Sequence, residues 1–132
     1  MKILLVDDDD AILKVFTASL KAQGYEVVTA ANGNQGIEKA KRERPDLILL
    51  DQVLPDVQGN EVLQTLKTDP DSKDLVIAML SNFGQNELIQ TAINAGAVDY
   101  ILKYQITPEY LGTKVKEILG PGAQPPETGQ PT

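Results

Sequence analysis

The sequence predicts an α/β protein, with one parallel sheet covered by helices on both faces. Three observations carry that prediction. The apolar runs are short and do not alternate, as strands buried on both faces require. Stretches with helical spacing lie between them. Each run also stops abruptly at polar or turn-forming residues. The clearest run is Asp46-Leu47-Ile48-Leu49-Leu50-Asp51, after which Pro55, Asp56, Gln58 and Gly59 spell out a loop.

Ile3-Leu4-Leu5-Val6 gives the first strand and ends in Asp7-Asp8-Asp9-Asp10. Ile12, Leu13, Phe16 and Leu20 then recur at helical spacing, with Gly24 as the stop. Asp9 or Asp10 suits the N-cap, where negative charge is favourable. Tyr25 to Ala30, with Val27, Val28 and Thr29, makes strand two. Asn32-Gly33 turns the chain into a weak helix whose apolar side holds only Ile37 and Ala40, and Pro45 stops it after Arg44. Beyond strand three, Val62, Leu63 and Leu66 mark a short helix ending near Asp69-Pro70. Leu75 to Leu80 is a fourth buried strand, stopping at Ser81. Leu88, Ile89, Ala92 and Ile93 define the fourth helix, and Gly96 is its left-handed terminator. Val98 to Leu102 makes strand five and ends at Lys103. Thr107-Pro108-Glu109 opens helix five as N-cap, first-turn proline and acidic residue, with Leu111, Val115, Ile118 and Leu119 on its buried side. Five strands alternating with five helices imply right-handed crossovers. From Gly120 the composition turns to Pro, Gly and polar residues, so residues 120–132 are expected to form a disordered tail or linker after a domain of residues 1–119.

Composition narrows the function. A chain of 132 residues is long enough for one domain with a real core. Its formal net charge of −7 opposes unaided binding to nucleic acid or an anionic membrane. No apolar run nears the ~20 residues of a membrane span. Met1-Lys2 leads straight into a strand rather than a signal peptide, and cysteine is absent, so a cytoplasmic location is expected. Without histidine or cysteine, the usual zinc sites and Ser-His or Cys-His nucleophile pairs are excluded. Carboxylates, carbonyls and water remain as ligands, which favours Mg²⁺, Ca²⁺ or Mn²⁺.

Asp7 and Asp8 follow strand one, Asp51 strand three, Ser81 strand four and Lys103 strand five. All five are therefore predicted at one edge of the sheet, where open α/β folds place their ligands. Each alone reads as a cap or a solvated side chain; together they describe a site. Like charges ~4 Å apart repel by ~1 kcal/mol in water and by ~4 kcal/mol at an effective dielectric of ~20. Three clustered aspartates thus require a cation among them. Mg²⁺ suits, because it takes one or two carboxylates and fills its octahedron with water and phosphate oxygens. Asp51 can then attack phosphorus to give an aspartyl phosphate, with the ion and Lys103 neutralising the transferring group.

On these residues the chain resembles the receiver domain of two-component response regulators, over residues 1 to about 119. The matching pieces are Ile3-Leu4-Leu5-Val6-Asp7-Asp8, then Asp46 to Asp51 with Leu54-Pro55-Asp56 and Gly59, then Ser81, then Gly96-Ala97 with Asp99-Tyr100-Ile101-Leu102-Lys103. The resemblance implies a flavodoxin-like, doubly wound sheet in the order 2-1-3-4-5. It also implies Asp51 as phosphoacceptor, Asp8 as a direct Mg²⁺ ligand, Asp7 as a largely water-mediated one, and the Val53 backbone carbonyl as a further ligand. Lys103 would pair with the phosphoryl group, Ser81 would reach for a phosphate oxygen, and Tyr100 would move inward as part of the switch. The implied donor is a histidine kinase or phosphotransfer protein. The downstream effector is unspecified, and the face of helix four, strand five and helix five is expected to serve partners or a phosphorylation-dependent dimer. Such a protein is not an enzyme beyond its own phosphorylation and dephosphorylation.

There are three departures from the family's pattern. Tyr104 stands where a proline is usual, and since a non-proline cis bond costs ~2.5–4 kcal/mol, the Lys103–Tyr104 bond is expected to be trans. Apolar Val53 and Phe83 are expected to hinder water at the phosphoaspartate and prolong its lifetime. Ser81 lacks the methyl group of threonine, which loosens its rotamer. Two other readings compete. Asp7-Asp8-Asp9 contains the Asp-x-Asp of a haloacid dehalogenase-type phosphatase, though the chain is short for one, and an interaction module that no longer accepts phosphate would share the fold. A flavin site fails because the first loop offers four acids where a phosphate needs a cradle.

Overall fold

Strands β1 (Lys2–Val6), β2 (Glu26–Ala30), β3 (Leu47–Leu50), β4 (Ile77–Ser81) and β5 (Asp99–Leu102) pair in parallel in the order β2-β1-β3-β4-β5, as the resemblance implied. The computed structural model describes residues 1–120, so all of the expected tail of residues 120–132 except Gly120 lies outside the described residues. Between the strands run α1 (Asp10–Ala22), α2 (Gly33–Glu43), α3 (Gly59–Thr68) and α4 (Asn86–Asn94), and α5 (Pro108–Leu119) follows β5. Successive strand side chains face opposite ways, and here both directions are apolar. Leu4, Val6, Ile48, Leu50, Ile77 and Met79 meet Ala40, Val62, Leu63, Leu66 and Ala92 on the face covered by α2, α3 and α4. Ile3, Leu5, Leu47, Leu49, Ala78, Leu80 and Ile101 meet Phe16 and Leu20 of α1 and Leu111 and Val115 of α5 on the other.

Local chemistry sets the boundaries. Asp9, rather than Asp10, caps α1, its side chain accepting from the N–H groups of Ala11 and Ile12. Tyr25 stays outside β2 because its N–H bonds to the Leu20 carbonyl. Asn32 does more than turn the chain: it caps α2, with its side chain accepting from the Gln35 N–H. Arg44 ends that helix in a left-handed conformation, φ 48°, since the following Pro45 disfavours the right-handed one. Leu75 precedes β4, held in a turn by the Ser72 carbonyl, and the strand runs on to include Ser81. Thr107 caps α5 as expected. Helix α4 departs most from expectation: only Ala92 is buried, and Ile93 is 43% exposed.

Gly59 fixes where α3 begins. A Cβ there would lie 2.2 Å from the Asp51 carbonyl oxygen and 2.8 Å from the Gln52 Cα, both backbone atoms that cannot swing aside. The Gly59 N–H donates to the Gln52 carbonyl at 2.7 Å. The helix thus starts directly beneath the loop that leaves β3, and that loop carries the candidate site.

Candidate functional site at the carboxyl edge of the sheet

Strand register brings the predicted residues together. Val6 pairs with Leu50 and Leu50 with Met79, so the next residues of β1 and β3, Asp7 and Asp51, emerge side by side. Each remains bonded to its neighbour strand: the Asp7 N–H to the Ala30 carbonyl, the Asp51 N–H to the Val6 carbonyl. Ser81 pairs with Leu102, which places Lys103 at the same edge. The Lys103 ammonium lies 2.5 Å from Asp7 Oδ2 and 3.4 Å from Asp51 Oδ2. All three side chains are at most 8% exposed. No cis peptide occurs among the described residues, so the bond to Tyr104 is trans as expected. A single 3-10 turn, Lys103–Gln105, takes the chain away from β5, and Lys103 still reaches the aspartates without the proline.

The other oxygens are also committed. Asp7 Oδ1 accepts from the Asp9 N–H at 3.0 Å and Asp51 Oδ1 from the Gln52 N–H at 2.8 Å. Asp8 is exposed, yet carboxylate oxygens of Asp7, Asp8 and Asp51 all lie within 4.8 Å of one another. No backbone N–H among the described residues bonds to the Val53 carbonyl. An all-oxygen donor set of this kind fits a hard divalent cation. Two buried carboxylates share one ammonium, and burial pushes the Asp51 carboxyl up to about 6; Lys103 opposes that rise and the Asp7 charge adds to it.

Ser81 is fully buried, and its hydroxyl accepts from the Phe83 N–H at 3.0 Å. The carbonyl of the same Phe83 accepts from the Tyr100 hydroxyl at 2.6 Å. One residue of the loop after β4 therefore links Ser81 to Tyr100, a connection that sequence reading did not find because it runs through backbone atoms. Burial raises the Tyr100 phenol pKa; Ser81 lowers it, and the Asp51 charge raises it. Val53 and Phe83 are 51% and 43% exposed and line a cavity of about 320 Å³ with Gln52, Leu54, Gln58 and Leu88. Gln52 is buried with both amide atoms lacking a protein partner, and nothing in its sequence position signals that.

The raised Asp51 pKa carries a sign. Its folded value lies above the ordinary 3.8, so the stability it supports is complete at low pH and is lost as pH rises through about 6. With chelator present, Asp51→Asn is expected to stabilise the fold near neutral pH by up to about 3 kcal/mol, from roughly two pK units. The gain should shrink as pH falls toward 4, by urea denaturation at each pH. A variant less stable than wild type near neutral pH would contradict the strained carboxylate.

Comparison with known proteins agrees with this geometry. The family model described as the response regulator receiver domain matches residues 3–116. The chain is 35% identical over 120 residues to the alkaline phosphatase synthesis transcriptional regulatory protein PhoP of Bacillus subtilis, covering 89% of this chain and 48% of that protein. It spans about half the length of the curated relatives it matches. Among solved structures, a CheY-like receiver domain protein of Methanospirillum hungatei superposes with a TM-score of 0.83 at 36% identity, covering 89% of this chain and 92% of that one. The BeF3-activated receiver domain of Klebsiella pneumoniae RstA gives 0.82 at 29% identity, covering 90% and 98%. These matches displace the haloacid dehalogenase reading. The chain belongs to the receiver domain family of two-component response regulators, a family of phosphoacceptor signalling domains.

Proposed function

We propose that Asp51 accepts a phosphoryl group from the phosphohistidine of a histidine kinase or phosphotransfer protein and that Ser81 and Tyr100 convert the event into a changed partner surface. The observation that carries this reading is the Lys103 ammonium set between Asp7 and Asp51. An Asp51 carboxylate oxygen forms the new bond to phosphorus as the histidine nitrogen leaves. The Gln52 N–H steadies one carboxylate oxygen and Lys103 faces the other. Mg²⁺, with Mn²⁺ as a substitute, would be held by Asp8, Asp51, the Val53 carbonyl and, mostly through water, Asp7, and would neutralise charge on the phosphoryl oxygens.

Phosphorylation adds about −1.5 to −2 charge and three acceptor oxygens. A shift from 1% to 99% active needs ~5.5 kcal/mol, and charged hydrogen bonds contribute ~1.5–3 kcal/mol each, so bonds from Ser81 and Lys103 reach that range. The Phe83 peptide then carries the change from Ser81 to the Tyr100 ring. The domain catalyses only its own phosphorylation and dephosphorylation and works in the cytoplasm; no helix among the described residues is long and apolar enough to cross a membrane. The related RstA receiver is described as BeF3-activated, which supports the same phosphoryl mimic as a probe here. Relatives named as transcriptional regulators support a downstream effector.

Incubation with acetyl phosphate and Mg²⁺ is expected to add one phosphoryl group by intact mass, with none added in Asp51→Asn. No uptake by the wild-type chain would refute the reading. Val53→Asn combined with Phe83→Glu should speed loss of the label several-fold, because apolar groups no longer flank the acyl phosphate. An unchanged decay rate would remove Val53 and Phe83 from that role.

A further inference from the structure

The loop from Asp51 to Gly59 has two anchors, and the outer one lies on a different element. Its inner anchor is the bond from the Gly59 N–H to the Gln52 carbonyl, with a bridge between Val53 and Gln58 closing the loop on itself. Its tip is held by Asp56. One carboxylate oxygen of Asp56 accepts from the Gly33 N–H at 2.8 Å and the other from the Asn34 N–H at 2.9 Å. The first also accepts from the Val57 N–H at 3.0 Å. Asn32 takes the two following N–H groups of α2, that of Gln35 with its side chain and that of Gly36 with its carbonyl. The N–H groups of Gly33, Asn34 and Gln35, which have no partner within the helix, are thus all satisfied, two of them by a residue from another loop. Gly33 permits the approach, since a Cβ there would lie 2.2 Å from Val57 Cγ2 and 3.2 Å from Asp56 Oδ1.

Asp56 is exposed, and an exposed aspartate in a loop has no need of two ordered partners 22 and 23 positions upstream. The two-point contact fixes the orientation of the loop tip as well as its distance from α2. Between the anchors runs Val53-Leu54-Pro55, with the Val53 carbonyl free of any backbone donor among the described residues. We infer that Asp56 is a positioning residue for divalent-cation binding: by clamping the loop tip to the N-terminus of α2, it holds the Val53 carbonyl over the aspartate cluster. The inference rests on the proposed reading of that cluster as the cation site. The N–H groups of Gly33 and Asn34 hold the Asp56 carboxyl below the usual carboxylate range, so the clamp stays charged at neutral pH.

Calorimetric titration of the full chain with Mn²⁺ alone separates this role from simple capping. Asp56→Ala is expected to weaken Mn²⁺ binding about tenfold, as loss of an outer-shell partner does. Asp56→Asn, which keeps one acceptor oxygen, should fall between it and wild type. Asn32→Ala removes the cap that α2 supplies to itself, so it should lower the melting temperature while leaving Mn²⁺ affinity unchanged. Unchanged affinity in Asp56→Ala, or an equal loss in Asn32→Ala, would overturn the positioning role. If Asp56→Ala does not fold, Asp56→Asn against Asn32→Ala decides the same question. A wild-type chain that binds no Mn²⁺ would overturn the reading of the site, and this inference with it.

Discussion

One ammonium group set among aspartates at the mouth of the sheet is the interaction on which the site depends. Lys103 touches Asp7 and faces Asp51, and all three side chains are nearly removed from water. Two carboxylates against one cation leave this pocket short of positive charge, with Asp8 adding a third acid at its rim. Burial is the main cause of the raised Asp51 pKa; Lys103 opposes the rise and the Asp7 charge adds to it. An all-oxygen cluster short of positive charge suits a hard divalent cation.

The fold supplies this arrangement through strand register. Five parallel strands end at nearly one level, so residues far apart in sequence become neighbours without any loop having to reach. What loops add is restraint. The loop after β3 is held from below by Gly59 and from the side by Asp56. The loop after β4 is held at Phe83, whose N–H and carbonyl join Ser81 to Tyr100. Backbone atoms of Phe83 thus link the Ser81 hydroxyl to the Tyr100 ring of β5.

Much of this was legible in the sequence, for physical reasons. Unalternating runs such as Leu47–Leu50 and Leu75–Leu80 reveal strands buried on both faces, and the first polar residues after each run mark the carboxyl edge of the sheet. Asp7, Asp8, Asp51, Ser81 and Lys103 were found that way, and the strand order came from family resemblance. Helix α4 misleads, because Leu88, Ile89 and Ile93 have the spacing of a buried face while only Ala92 is fully buried, Leu88 and Ile89 being half-buried and Ile93 exposed. In the sequence Asp56 is only a loop residue, since its partners sit on a helix that precedes it by more than twenty positions. The Phe83 bridge uses backbone atoms alone, which side-chain identity cannot report.

A carboxyl-carbon NMR titration of the metal-free protein tests the central claim most directly, because it reads the balance of burial and charge at Asp51 itself. Burial beside Asp7, with Lys103 as the sole adjacent cation among the described residues, predicts a midpoint at about 6. A midpoint at the ordinary 3.8 would show a well-solvated or fully compensated carboxylate, and the account of this edge as a pocket awaiting positive charge would be wrong.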